Sequence, residues 1–80
     1  MKLYLLTQDI VTGYDTYSAA VVIAATPFAA RRIHPADGQP VEGNRYGGWC
    51  TNHDNVRVVC LGDAEPGLEA GVVCASYNAG

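Results

Sequence analysis

The stretch Ala19-Ala-Val-Val-Ile-Ala-Ala-Thr-Pro-Phe-Ala-Ala-Arg-Arg-Ile33 changes character in its middle, and that change sets the fold class. Up to Ala25 it is apolar, with Val21, Val22 and Ile23 consecutive. β-Branching restricts their χ1 rotamers and favours a strand, here one with both faces at least partly covered. Thr26-Pro27 then reads as a helix start. Threonine caps a free amide, and proline suits the first turn, where its missing N–H costs nothing. The helix is predicted to run through Phe28, Ala29, Ala30, Arg31, Arg32 and Ile33, and Pro35 bars His34 from continuing it. Ala25, Ala29 and Ile33 recur four apart and predict a narrow apolar stripe lying on a sheet. Arg31 and Arg32 fall in the last turn, where cations complement the helix dipole.

Working outward, residues 2–8 read as a first strand, with Leu3 and Leu5 on one face and Tyr4 and Leu6 on the other. Asp9 to Tyr17 is a connecting loop. Val56 to Leu61 is a strand whose Val56, Val58 and Cys60 share an apolar face. Pro66-Gly67 fits the centre of a type II turn, because proline fixes φ at the first position and glycine accepts positive φ at the second. Val72 to Tyr77 is the last strand. The order is β-β-α-β-β. The expected class is α+β, a small, mainly antiparallel sheet with one short helix packed on one face. Pro35 to Asn55 is the irregular part, with Pro35, Gly38, Pro40, Gly43, Gly47 and Gly48. Loops this long are usually functional or packed by their own aromatic residues. Trp49 is expected to plug the sheet edge, and Val41-Glu42 and Arg45-Tyr46 are candidates for a short extra strand.

Eighty residues predict one domain spanning 1–80. A chain of this size buries only about 60% of its unfolded surface. A substrate cleft of several hundred cubic ångströms would consume much of such a core, so a small binding protein is favoured over an enzyme. The apolar runs are all far shorter than the ~18 residues of a membrane helix. The start, Met1-Lys-Leu-Tyr-Leu-Leu-Thr7, has no signal-peptide cleavage region, and a cytoplasmic protein is expected. The net charge of −3 argues against direct nucleic-acid binding, which calls for a basic face. Three cysteines in a reducing compartment are expected to be free. Cys60 and Cys74 are expected to be small buried hydrophobes. The alternative is a Cys60–Cys74 bridge between neighbouring strands, leaving Cys50 unpaired.

Reactive side chains concentrate in Cys50-Thr-Asn-His53-Asp54. Cys-x-x-His supplies one pair of zinc ligands, whereas a structural zinc site takes two pairs. A thiol nucleophile with His53 as base and Asp54 as orienter would need the three to converge in space, and five consecutive loop residues more often face apart. The expectation is therefore turn chemistry before a strand, with no catalytic residue, no metal and no cofactor. Asp63, Glu65 and Glu69 belong to the Pro-Gly turn, where carboxylates are normally solvated. What remains is surface. Tyr14, Asp15 and Tyr17 in one loop, and Asp63, Glu65 and Glu69 in another with Tyr77 nearby, combine anchoring aromatic residues with acids that steer encounter. These six loop residues, Tyr77 apart, are the candidate protein-binding site.

Four segments together carry a family resemblance: Lys2-Leu-Tyr-Leu-Leu-Thr-Gln8, Gly13-Tyr-Asp-Thr-Tyr-Ser-Ala-Ala-Val-Val22, Ala30-Arg-Arg-Ile-His-Pro35, and Pro66-Gly67 followed by Gly71-Val-Val-Cys-Ala-Ser-Tyr-Asn-Ala-Gly80. The chain resembles a family of small phage and prophage proteins, and within it looks like an anti-CRISPR protein acting on a type I system. The resemblance covers most of the chain and is weakest over 36–50. Its motifs are strand and turn residues, so it carries over no binding residue. It implies an inhibitor in the cytoplasm of a bacterial host that binds the surveillance complex stoichiometrically and keeps target DNA out. The partner surface would be a basic DNA-binding groove; neither nucleic acid nor membrane would be contacted directly. Other expectations stay open: a phage accessory protein binding a host polymerase, nuclease or regulator, and a small Cys/His metal or thiol enzyme. A monomer is expected in preference to a dimer formed through a free sheet edge.

Overall fold

The computed structural model describes residues 1–79. Its strands are β1 (Lys2–Thr7), β2 (Thr16–Ala24), β3 (Arg57–Asp63) and β4 (Gly71–Asn78), with one helix, α1 (Pro27–Arg31), and a 3-10 turn at His53–Asn55. They form one sheet in the order β3-β1-β2-β4, antiparallel at every junction. The class is α+β, as composition and pattern imply. The order read from the sequence omitted the 3-10 turn, which lies between α1 and β3.

The two most apolar strands, β1 and β2, take the central positions, where neighbours satisfy both backbone edges. β3 lies at an edge and carries Arg57 and Asp63 at its ends, charges of the kind that discourage edge-to-edge pairing. β4 lies at the other edge without a charged residue. One face of the sheet is the core. Tyr4, Leu6, Ala20, Val22, Ala24 and Val56 are buried there beneath Ala30 of α1 and Val41, Trp49 and Cys50 of the long loop. The opposite face carries a row across all four strands, Val59, Leu5, Val21 and Cys74. Val59 and Cys74, at the two ends of that row, are exposed.

Several sequence readings are corrected. β2 begins at Thr16 rather than Ala19, because Thr16 and Tyr17 already pair with Asn78 and Tyr77. α1 stops at Arg31, before Pro35 can act. Ile33 leaves the helix to bridge Pro40, and the Val41 amide donates to Arg32 O at 2.9 Å. The stripe of Ala25, Ala29 and Ile33 is not the packing face: Ala25 and Ala29 are exposed and Ala30 is fully buried. Thr26 does cap the helix, its Oγ1 accepting the Ala29 amide at 3.1 Å. Val41-Glu42 and Arg45-Tyr46 form no strand. Trp49 does not plug an edge; it is 2% exposed, inside the core cluster.

The cysteines are reversed as well. Cys60 and Cys74 are exposed, and Cys50 is the buried one. No Cys60–Cys74 bridge is possible, because β3 and β4 lie at opposite edges with β1 and β2 between them. Residues 64–70 therefore do not close a hairpin. They cross the end of the sheet, spanning three inter-strand gaps of about 4.8 Å each, well within the reach of seven residues. The Ala64 amide ties this link to Met1 O at 3.0 Å. Within it, the Leu68 amide donates to Glu65 O at 3.3 Å and Gly67 has φ 93°, as the type II reading of Pro66-Gly67 requires.

Candidate binding surface

The sheet separates the six candidate residues into two groups. β2 is nine residues long, about 27 Å from end to end at strand rise. Tyr14, Asp15 and Tyr17 lie where β1 hands over to β2. Asp63, Glu65 and Glu69 lie at the other end, where the 64–70 link crosses. They do not form one patch. Tyr77, placed by sequence beside the acidic turn, belongs instead with Asp15: eight residues of β4 carry it the length of the sheet, and its hydroxyl donates to Asp15 Oδ1 at 3.1 Å.

The β1–β2 end is built on fixed backbone. Gln8, buried at the close of β1, donates through Nε2 to Val11 O (2.7 Å) and Tyr17 O (2.9 Å). Its Oε1 accepts the amides of Ile10 (3.0 Å) and Val11 (2.8 Å), so one side chain shapes the whole connection. Asp15 takes a left-handed φ of 58°, a region open mainly to glycine, asparagine and aspartate. Its amide donates to Asn78 O at 2.5 Å. The Tyr17 amide donates to Gly48 O at 2.7 Å, locking the long loop onto this end. The Tyr17 ring is half-buried, 4.8 Å from Tyr77 and edge-on to His34 at 6.4 Å between centroids, so it braces the site from beneath. The bond to Asp15 and its negative charge push the Tyr77 phenol above its usual pKa.

At the opposite end, Asp63 is engaged by Lys2 Nζ at 2.7 Å, and that hydrogen bond holds its carboxyl below the usual range. Both partners are exposed, so the pair adds little stability. Glu65 and Glu69 are exposed on the link, with the half-exposed Leu68 between them.

The Cys50–His53 region divides between core and surface. The Cys50 thiol is buried and its pKa raised by that burial, the reverse of what a thiolate nucleophile needs. His53 contacts Glu42 through Nδ1, lies edge-on to Phe28 at 5.6 Å, and has Nε2 3.4 Å from Asp54. The Glu42 carboxyl is held down by the hydrogen bond from His53. Asn52 Oδ1 accepts the Asp54 amide at 2.9 Å, the turn chemistry expected before a strand. Among the described residues no three histidine, cysteine or acidic side chains group as metal ligands.

His34 fastens the loop that reaches the tyrosine-bearing end. Buried, it meets Tyr46 O through Nε2 at 3.0 Å and the Ala36 amide through Nδ1 at 3.0 Å. The amide must donate to Nδ1, so the ring is neutral with its hydrogen on Nε2. Burial lowers its pKa, outweighing the hydrogen bond to Tyr46. Between that depressed value and about 6.5, the unfolded chain takes up a proton that the folded chain refuses. The His34 contribution is therefore complete above about pH 6.5 and declines as pH falls towards the native value. Thermal midpoints at pH 7.5 and 5.5 are expected to drop with acidification in the wild type. His34→Phe should lower both midpoints and remove most of the difference; an undiminished slope in that variant would place the titration elsewhere.

No helix among the described residues is long and apolar enough to cross a membrane. Comparison with protein-family models, with curated proteins and with solved structures returns no match.

Proposed function

We propose that the protein is a binding protein that acts stoichiometrically on a type I CRISPR surveillance complex and blocks its recruitment of target DNA, as the resemblance to small phage and prophage anti-CRISPR proteins implies. The observation that supports this reading is the disposition of exposed acids on held backbone. Glu65 and Glu69 flank Leu68 on a link tied down at Met1, and Asp15 stands at the other end beside exposed tyrosines. A groove that holds nucleic acid is lined with lysine and arginine, and a small acidic protein is steered towards such a field. Occupying the groove needs neither a nucleophile nor a cofactor.

The test is a gel shift of target double-stranded DNA by a purified type I complex, with and without an excess of the protein. Loss of the shift is expected, and an unchanged shift would rule out a block of DNA recruitment. The variant D63K/E65K/E69K should remain folded, since exposed substitutions usually change stability by about 0.5 kcal/mol or less. It should inhibit less well. Full inhibition by the folded variant would remove the 63–69 link from the contact surface.

A further inference from the structure

Four of the five tyrosines converge on the β1–β2 end; the fifth, Tyr4, is in the core. Tyr14 is 80% exposed, Tyr46 55% and Tyr77 49%, while the half-buried Tyr17 ring packs 4.8 Å from that of Tyr77. Tyr46 is placed there by two attachments, its own carbonyl on His34 and Gly48 O on the Tyr17 amide. The exposed Asp15 carboxylate stands at the same end, next to Tyr14 in the chain and hydrogen-bonded by the Tyr77 hydroxyl. The ion pairs among the described residues are Lys2–Asp63, His53–Glu42, His53–Asp54 and Arg57–Asp9, so Asp15 has no cationic partner among them. Its hydrogen bond from Tyr77 uses Oδ1.

We infer that this end is a docking surface for an arginine-bearing segment of a partner protein, and that it, rather than the acidic link, makes the principal contact. A guanidinium stacks on phenol rings and at the same time presents a fork of N–H donors to a carboxylate. Tyrosines around an unpaired aspartate match both demands. The backbone that carries them is held by Gln8, Asn78, Gly48 and His34, so little backbone freedom is lost on binding. Asp15 also discriminates against the other ligand that stacks on tyrosine, single-stranded nucleic acid, because it repels phosphates while a stacking platform for bases needs a basic groove. The inference rests on the protein being a binder but not on which complex it binds.

The probes are nonaarginine, nonalysine and an oligothymidine, titrated into 15N-labelled protein while amide shifts are followed. Nonaarginine is expected to perturb residues 14–17, 46–48 and 77–78, and nonalysine to bind more weakly at the same place. Y14A/D15N should weaken nonaarginine binding by about fivefold or more. Asparagine tolerates the left-handed backbone, so the turn survives in this variant. Shifts centred on 63–70, equal binding by Y14A/D15N, or oligothymidine perturbing the same residues as strongly would each overturn the inference. In the gel-shift assay the two readings separate. Nonaarginine binding at this end without inhibition of DNA recruitment keeps the surface and removes the target. Full inhibition by Y14A/D15N keeps the target and removes the surface.

Discussion

Trp49→Ala is expected to cost about 3–5 kcal/mol, the range for deleting a buried large aromatic side chain, out of a total stability of about 5–15 kcal/mol. A domain of this size belongs near the lower end of that range, so the variant should retain only about 0–2 kcal/mol and be partly unfolded at 37 °C. Trp49 is the largest side chain that the 35–56 loop contributes to the core, where it joins Val41, Cys50 and Val56 against the sheet. Its indole Nε1 is buried without a hydrogen-bond partner among the described residues, so the site holds the ring for its volume and apolar area. Trp49→Phe removes that unpaired donor along with part of the ring, and should cost much less than alanine. Urea unfolding of the three proteins decides it. A loss below about 1 kcal/mol for Trp49→Ala would mean that the loop can leave the sheet without consequence.

Gly48→Ala is the second large effect. Gly48 has φ 82°, and a Cβ there would lie 2.8 Å from Asp15 O and 3.3 Å from Thr16 Cα. Both obstacles are backbone, which cannot swing aside as a side chain can. The left-handed conformation alone costs alanine about 1–2 kcal/mol; forcing two backbones apart adds about 1–3 kcal/mol. Gly43→Ala is the internal control, with φ 72° and nothing within 4 Å of the new methyl, so it should show only the conformational part. Near-equal unfolding midpoints for the two variants would show that the loop does not press on Asp15. If Gly48→Ala remains folded, amide shifts at Asp15 to Tyr17 should move, and nonaarginine binding should weaken with them.

What could be read from the residues follows from what is local. The cap at Thr26, the type II turn at Pro66-Gly67 and the sharing of one β1 face by Tyr4 and Leu6 depend on neighbours a few positions away and are legible in the residues; that this face is the buried one is not. Strand order depends on which edges remain free after β1 and β2 pair, and that is a property of the whole sheet. The apolar runs around Cys60 and Cys74 predict burial, but both runs become edge strands whose thiols stay exposed. Tyr77 is close in sequence to the acidic turn, yet β4 carries it to the opposite end of the sheet. The helix ends earlier than its apolar spacing predicts, through a contact with a later segment. Ala25, Ala29 and Ile33 share a helical face, but Ile33 gains a bridge to Pro40 by leaving it. For the binding surface, Tyr14, Asp15 and Tyr17 were legible as one aromatic and acidic loop. The addition of Tyr46 and Tyr77 was not, since it needs the register Tyr17–Tyr77 and the Gly48 contact, links across tens of residues.

The sheet order also dictates a sequence of events in time. Only the β1–β2 pair is joined by a short connection, and that hairpin can form on its own within microseconds. Both edges must be delivered from far along the chain, β3 after the long loop and β4 after the 64–70 link. Loop closure is then the slow event, and refolding is expected in milliseconds to seconds rather than microseconds. On the ribosome, β4 is the last of the four strands to emerge. Until it docks, the free edge of β2 and the apolar residues Val21 to Ala24 stay open to other chains. The interval before β4 arrives is when this protein is most vulnerable to misassembly.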